Sequence, residues 1–106
     1  MDFMLIFFVP KDSAEQVKEA LFSQGAGVVG EYAACSWQSI GVGQFQPSLE
    51  ANPHIGNCGK LEHVDEIRVE IPCVSVDKKT LSATLRVAHP YEEPVYYFID
   101  MPGEGL

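Results

Sequence analysis

Basic side chains are scarce in this sequence. Seven lysines and arginines stand against 15 aspartates and glutamates in 106 residues, which gives a formal net charge of −8 at pH 7. An acidic surface repels the phosphate backbone of nucleic acids, so the charge balance argues against nucleic acid as a partner. It leaves divalent cations and basic protein surfaces open as partners.

Long apolar runs and paired cysteines are also lacking. The apolar run at 3–9 has seven residues, whereas a membrane-spanning helix needs about 20. Only Asp2 stands before the run, where a secretion signal would carry basic residues. Cys35, Cys58 and Cys73 are odd in number and not closely spaced, which suits a reducing compartment. These features predict a cytoplasmic protein without membrane contact.

The composition that remains suits one packed domain over residues 1–106. Hydrophobic residues make up 46% of the chain and charged residues 21%, which is ordinary for a globular protein. The run at 3–9 does not alternate with polar residues, so it predicts a central strand buried on both faces. A helix should follow, capped by Asp12 or Ser13 with Glu15 completing a capping box, and it should end at Gly25.

The middle of the chain predicts further β structure and a long loop. Residues 32–46 alternate around Gly41 and Gly43, which favours a β-hairpin with its tip near Gly41. Residues 48–64 are rich in glycine, proline and histidine, and a loop of that length is either functional or an ordered Ω-like surface loop. Residues 66–73 alternate cleanly and predict a half-buried strand.

The last third predicts a second helix and a closing strand. Asp77 is a suitable helix cap, His89-Pro90 ends the helix, and residues 95–99 are apolar and aromatic. The resulting order is a ferredoxin-like βαββαβ α+β sandwich with an extra central β-hairpin and a long loop. Both helices would cover one sheet face, and the open face would favour self-association.

The densest polar segment is His89-Pro90-Tyr91-Glu92-Glu93-Pro94. Two prolines restrict the relative positions of a histidine and two carboxylates. The segment can serve as a cation site with His89, Glu92 and Glu93 as ligands, as an acid–base pair, or as a polar contact between subunits. The plain alternative is a helix-to-strand connection whose glutamates face water.

Other chemistry is weakly supported by the residues. His54, Cys58 and His63 lie in the long loop, but Pro53 and nearby glycines oppose the helical spacing that a zinc site would use. Whether these three side chains converge stays open. The sequence contains no glycine-flanked serine elbow and no cysteine in an electropositive setting, so no catalytic residue is predicted.

Several short stretches together resemble a known family. They are the segments 7–10, 20–22 with 25–27, 35–36 with 41–45, 51–56, 59–62 and 88–94. They resemble the YqfO-type domain, which is similar to CutA and to PII signalling proteins. In larger relatives this domain is inserted in a dinuclear-metal protein of the GTP cyclohydrolase type 2-like or NGG1-interacting-factor-like kind. The resemblance covers residues 3–99.

The resemblance implies a ferredoxin-like fold and a homotrimer with clefts between subunits, with a dimer as the alternative. It also implies that the metal ligands of the larger relatives belong to a flanking domain outside this chain. The leading hypothesis is therefore a homo-oligomeric binding or regulatory module for a small molecule or a divalent metal ion. The predicted ligand-binding residues are Asn52, His54, Lys60, His89, Tyr91, Glu92 and Glu93.

Two other functions remain open at this stage. One is an interaction protein that docks on another chain, such as a dinuclear-metal protein, through its open sheet face. The other is a hydrolase or cyclohydrolase that acts alone, which the lack of a visible catalytic set does not favour.

Overall fold

Residues 2–102 are described by a computed structural model. Its four strands are β1 (Phe3–Pro10), β2 (Trp37–Phe45), β3 (Glu62–Cys73) and β4 (Tyr96–Asp100). They form one antiparallel sheet in the order β2-β3-β1-β4, with helix α1 (Ala14–Ser23) after β1 and helix α2 (Lys78–Ala88) after β3. This is the βαββαβ ferredoxin-like arrangement, so the predicted fold class and the central position of the first strand are confirmed.

One face of the sheet is covered by both helices and holds the core. Every second residue of β1 and β3 points to this covered face because successive side chains of a strand alternate between faces. Both helices add apolar side chains at helical spacing. The buried set is Phe3, Leu5, Phe7, Val9, Ala14, Val17, Leu21, Ala26, Ile67, Val69, Ile71, Cys73, Leu81 and Leu85.

The opposite face, called here the open face, carries no helix among residues 2–102. Ile6 and Phe8 of β1 lie on it, as does Glu66 of β3. Ile6 is nevertheless only 1% exposed, while Tyr97 of the adjacent β4 is 39% exposed. The open face is therefore buried at Ile6 and exposed at Tyr97.

The predicted hairpin with its tip at Gly41 is wrong. β2 runs without a break through Gly41 and Gly43, which pair with Glu66 and Val64 of β3. Neither glycine has a positive φ, so neither makes a hairpin turn. The reversal takes place in the loop at 46–61. β3 begins at Glu62, four residues earlier than expected, and supplies partners along the whole of β2.

The helix starts differ from each other. Asp77 caps α2, where its carboxylate accepts a hydrogen bond of 3.1 Å from the backbone N–H of Thr80, as the sequence predicts. α1 instead follows a single 3₁₀ turn at Lys11–Ser13, and Ser13 makes no side-chain capping bond. The predicted capping box is therefore not formed. Neither helix of the described chain has the length and apolar character needed to cross a membrane.

Candidate functional site

A cavity of about 620 Å³ opens where the open face meets two connections. The C-terminal end of β2, the loop at 46–61 and the segment at 89–95 form its walls, and Phe8 of β1 reaches it from the sheet. We call it the open-face cavity. β3 residues 62–65 extend past the end of β1 and pair with β2 alone, so this end of the sheet is a two-stranded ribbon. The ribbon and the two connections enclose the space.

His89 fixes the segment that forms one wall of the cavity. The backbone N–H of Tyr91 donates to Nδ1 of His89 over 3.1 Å, so Nδ1 must be the unprotonated nitrogen. Nε2 therefore carries the proton and donates to the carbonyl oxygen of Phe8 over 2.6 Å. The side chain is buried, and burial is the main cause that lowers its pKa; nearby His54 acts in the same direction. His89 is thus a neutral, fully engaged group.

Tyr91, Glu66 and Gly43 line the cavity and are only partly exposed, and we call their side of it the inner end. The Tyr91 hydroxyl donates to Oε2 of Glu66 over 2.7 Å. Burial, together with the hydrogen bond and the negative charge of Glu66, raises the pKa of Tyr91, so its hydroxyl stays protonated. A Cβ at Gly43 would collide with the Glu66 carboxylate, so glycine leaves the space in which that carboxylate sits. The Phe45 ring lies beside Tyr91 with centroids 5.9 Å apart.

The long loop is tied down by hydrogen bonds within itself and to the opposite wall. The Gly59 N–H donates to the Pro47 carbonyl over 2.6 Å and closes the loop at its base. The Cys58 thiol donates to the carbonyl of Ala51 over 3.3 Å. The Asn52 N–H donates to Oε1 of Glu92 over 3.1 Å and joins the loop to the segment after α2. The loop is an ordered wall of the site.

The structure brings together most of the residues predicted for a ligand site. His54, Tyr91, Glu92 and Glu93 line the open-face cavity. Asn52 lines a shallower depression beside it, together with Pro90 and shared residues. The His89 ring lies 5.0 Å from the Tyr91 ring, centre to centre, and lines neither space. Lys60 is an exposed residue that also lines neither space.

The predicted metal ligands are placed differently. Both nitrogens of His89 are occupied by backbone groups, so this histidine has no lone pair to offer a metal. Within residues 2–102, no three His, Cys, Asp or Glu side chains lie close enough to hold one ion. His54, Cys58 and His63 do not converge: His63 bonds with Gln44 across the β2–β3 ribbon, over 3.0 Å. The structure thus shows no preformed metal centre in the described chain.

Among the lining residues that sequence reasoning missed are Phe8, Gly43, Phe45 and Glu66. Each was interpreted as part of a strand or turn. A strand register would have been needed to find them, because Glu66 and Tyr91 are 25 positions apart in the chain.

The fold and the site define a class: a small ferredoxin-like domain of the CutA/PII type with a cavity on its open face. CutA of Archaeoglobus fulgidus, a periplasmic divalent cation tolerance protein, superposes with a TM-score of 0.69 at 19% identity, over 100% of this chain and 88% of that one. At this identity the likeness shows the fold alone. No protein-family model matches the sequence.

Closer sequence relatives are longer proteins. The GTP cyclohydrolase 1 type 2 homolog of Halalkalibacterium halodurans is 40% identical over 103 residues, which is 97% of this chain and 28% of that protein. A Bacillus cereus protein related to NIF3 has a TM-score of 0.76 at 35% identity, covering 97% of this chain and 26% of that one. The chain spans about a quarter of the length of these relatives. It is similar to one domain of the NIF3-related proteins.

Proposed function

We propose that the chain is a homo-oligomeric binding or regulatory module that holds a small molecule in the open-face cavity. The cavity itself is the observation that carries the proposal. Its volume of about 620 Å³ lies within the range of roughly 300–1,000 Å³ typical of small-molecule sites. Its walls combine aromatic and aliphatic side chains with a few polar groups, which is the usual composition of such sites.

The polar groups have separate roles in this proposal. Tyr91 and Glu66 present their hydrogen-bonded pair at the inner end, while His54, Glu92 and Glu93 are exposed residues of the lining. His89 positions Tyr91 through the bond to its backbone. We do not propose that the chain acts as an enzyme alone. The pKa of Tyr91 is raised and that of His89 is lowered, but both side chains are already engaged in hydrogen bonds, Tyr91 with Glu66 and His89 with Phe8.

Self-association would use one of the two edges of the sheet, that of β2. β2 is an edge strand, so one side of its backbone has no strand partner within the described chain. Its side chains Trp37, Ile40 and Val42 are 60%, 72% and 70% exposed. An exposed apolar edge favours pairing with a second copy, and we propose a cytoplasmic trimer, with a dimer as the alternative.

A native mass spectrum of the purified protein tests assembly and occupancy together. The expected spectrum shows an oligomer that carries extra mass, and an oligomer without extra mass for the Glu92→Gln, Glu93→Gln double variant. A bare monomer that persists across protein concentrations would contradict the oligomeric proposal. Ile40→Lys with Val42→Lys should convert the oligomer to monomers, whereas Glu15→Lys with Glu19→Lys on the exposed side of α1 should not.

A divalent cation is the less supported occupant. The name of the CutA relative refers to divalent cations, and Glu92 and Glu93 could contribute oxygen ligands. His89, the third proposed ligand, would have to break two hydrogen bonds to join them. The extra mass in the spectrum separates the two cases, because a metal ion and an organic molecule differ in mass and in sensitivity to chelators.

Docking on another protein is a second candidate function, favoured by the same exposed edge of β2. The relatives are about four times as long as this chain. In them, a domain of this kind is therefore joined to further protein. Affinity capture with the purified chain should then retain one defined protein. The Ile40→Lys, Val42→Lys variant should lose that protein, and retention by the variant would move the contact away from β2.

A further inference from the structure

The charge of the open-face cavity is one-sided. Glu66, Glu92 and Glu93 line it, and none of its lining residues in the described chain is a lysine or an arginine. Lys60, the base expected at the site from the sequence, lies outside it. A phosphate or carboxylate ligand would therefore meet three carboxylates without a compensating cation.

Arg68, the basic residue that lies over the Phe8 ring, is already paired with another carboxylate. Arg68 shares the open face with Glu66, and its Nε lies 3.2 Å from a carboxylate oxygen of Glu70. Its guanidinium also lies 5.8 Å from the centre of the Phe8 ring. In the described chain the carboxylates of Glu66, Glu92 and Glu93 take part in no ion pair. Their negative charge is available to an occupant.

Aromatic rings accompany these carboxylates. Phe8, Phe45 and Tyr91 line the same cavity, and the rings of Phe45 and Tyr91 lie 5.9 Å apart at an interplanar angle of 57°. An aromatic ring attracts a cation placed within about 6 Å of its centre, and ring and carboxylate together bind ammonium groups more strongly than either alone. The same rings offer apolar surface to the body of a ligand.

The carboxylate of Glu66 is held in a defined position. The Tyr91 hydroxyl donates to Oε2 of Glu66, so the other oxygen, Oε1, remains free of a donor in the described chain. Burial and the negative charge of Glu66 both raise the pKa of Tyr91, which keeps this donor protonated. Gly43 leaves the space in which this carboxylate sits. An ammonium group within hydrogen-bond distance of the carboxylate would complete the environment of Glu66.

We infer that the open-face cavity selects a small organic cation: an amine or ammonium compound with an apolar body. The inference rests on the proposed small-molecule function and adds the ligand's charge. The ammonium group would lie between the carboxylates and the aromatic rings, and the apolar body would face Phe8, Val95 and Ile55. An anionic nucleotide does not fit this cavity electrostatically.

Three probes of similar shape and different charge test the inference. They are 2-phenylethylamine, which is protonated at about pH 8, the neutral 2-phenylethanol and the anionic 3-phenylpropionate. Titration followed by amide chemical shifts of the isotope-labelled protein reports both affinity and place. The cation should bind about tenfold more tightly than the alcohol, with shifts centred on Gly43, His54 and Tyr91, and the carboxylate should bind most weakly.

Variants that replace glutamate with glutamine identify the carboxylates that make the cavity selective for a cation. Glu66→Gln keeps an oxygen that can accept from Tyr91 and removes only the charge, so it should bring the affinity for the cation close to that for the alcohol. Glu92→Gln with Glu93→Gln should weaken cation binding further. The matched control is Glu19→Gln with Glu31→Gln, which removes two charges from exposed residues outside the cavity. This control should leave cation selectivity unchanged.

The outcomes distinguish a failure of the organic-cation inference from a failure of the small-molecule proposal on which it rests. Equal binding of cation and alcohol, or preference for the carboxylate, with shifts at the cavity would overturn the charge class and keep the small-molecule site. No cavity shifts with any probe at millimolar concentration would count against both. Loss of selectivity in the control variant would also overturn the inference, since it would assign the effect to the net charge of the protein.

Discussion

The two faces of the sheet have different roles, although the same strands contribute side chains to both. On the covered face, Leu5, Val69 and Leu81 are completely buried in a continuous apolar core. On the open face, the same strands present Phe8 and Glu66 to a cavity. The burial of the covered face is the main source of stability. Polar groups on the open face keep defined positions because the core packed on the covered face fixes the strands that carry them.

The difference shows where function can reside in so small a domain. Removing a core side chain leaves an unfilled volume with no replacement contacts, whereas removing an open-face side chain mainly changes what the cavity can hold. Stability and binding should therefore respond to different substitutions in neighbouring positions of one strand. The following variants test that separation.

The largest effect is expected on the covered face. Leu81→Ala removes a side chain that is 0% exposed, and such truncations cost about 2–5 kcal/mol of unfolding free energy. Val87→Ala on the same helix is the control, because Val87 is 89% exposed and its truncation should change stability by less than about 0.5 kcal/mol. Denaturant unfolding measures both values. Equal losses for the two variants would show that α2 does not pack as described.

The next largest effect distinguishes two glycines of β2. Gly43→Ala forces the Glu66 carboxylate to move, because the new Cβ would collide with it, and crowding of this kind typically costs about 1–3 kcal/mol. Gly41→Ala meets no atom within 4 Å and should stabilise the strand by roughly 0.5–1 kcal/mol. In the Gly43→Ala variant, the side-chain resonances of Tyr91 should also shift from their positions in the native protein.

Denaturant unfolding gives the stabilities of the two glycine variants, and the Tyr91 side-chain resonances show whether its bond to Glu66 survives. If Gly43→Ala were as stable as Gly41→Ala and kept that bond, the space at Gly43 would not be needed by Glu66. The open-face cavity would then be adaptable, and its inner end would not be preformed.

The covered face could be predicted from the sequence, and the open face only in part. The alternation of Ile67, Val69 and Ile71 and the unbroken run at 3–9 identify the strands whose side chains meet the helices, and the fold class follows from their order. The hairpin at Gly41 was wrong because glycine is compatible with an extended strand as well as with a turn. Only the partner strand β3, which pairs with all of β2, decides between them.

The candidate site was predicted in part for a related reason. The segment 89–94 and the loop residues Asn52 and His54 were identified by their polar density, and both line the cavity or its border. Glu66 was interpreted as an ordinary strand residue, because its role depends on a hydrogen bond with Tyr91 and on the space left by Gly43. The burial of His89 depends likewise on a carbonyl group 81 positions earlier in the chain.

A smaller effect concerns His89, which joins the two faces at the edge of the cavity. His89→Gln keeps a donor that can reach the Phe8 carbonyl but loses the acceptor for the Tyr91 N–H, so it should cost about 1 kcal/mol at pH 8. It also removes a titrating group. Burial lowers the pKa of His89 in the folded state, so between that pKa and the unfolded value of about 6.5 the unfolded chain binds more protons.

The unfolding free energy of the native protein should therefore fall as the pH falls below about 6.5, with a slope of up to about 1.4 kcal/mol per pH unit from this group. Denaturant unfolding between pH 5 and 8 should show a smaller fall for His89→Gln. His63→Gln is the control, since that exposed histidine bonds only with Gln44 in the described structure and should leave the slope intact. Parallel pH curves for the native protein and His89→Gln would mean that His89 is protonated freely in the folded state.

The smallest effect compares the starts of the two helices that cover the sheet. Asp77→Ala removes a carboxylate that accepts from both the backbone N–H and the hydroxyl of Thr80, each over 3.1 Å, and the loss of such a cap costs about 1 kcal/mol. Ser13→Ala at the start of α1 should cost less than about 0.5 kcal/mol, because Ser13 makes no capping bond. Asp77→Asn should recover most of the stability, since its side-chain oxygen can still accept. A cost for Ser13→Ala as large as that for Asp77→Ala would mean that the 3₁₀ turn at Lys11–Ser13 gives way in solution to the capped start that the sequence favours.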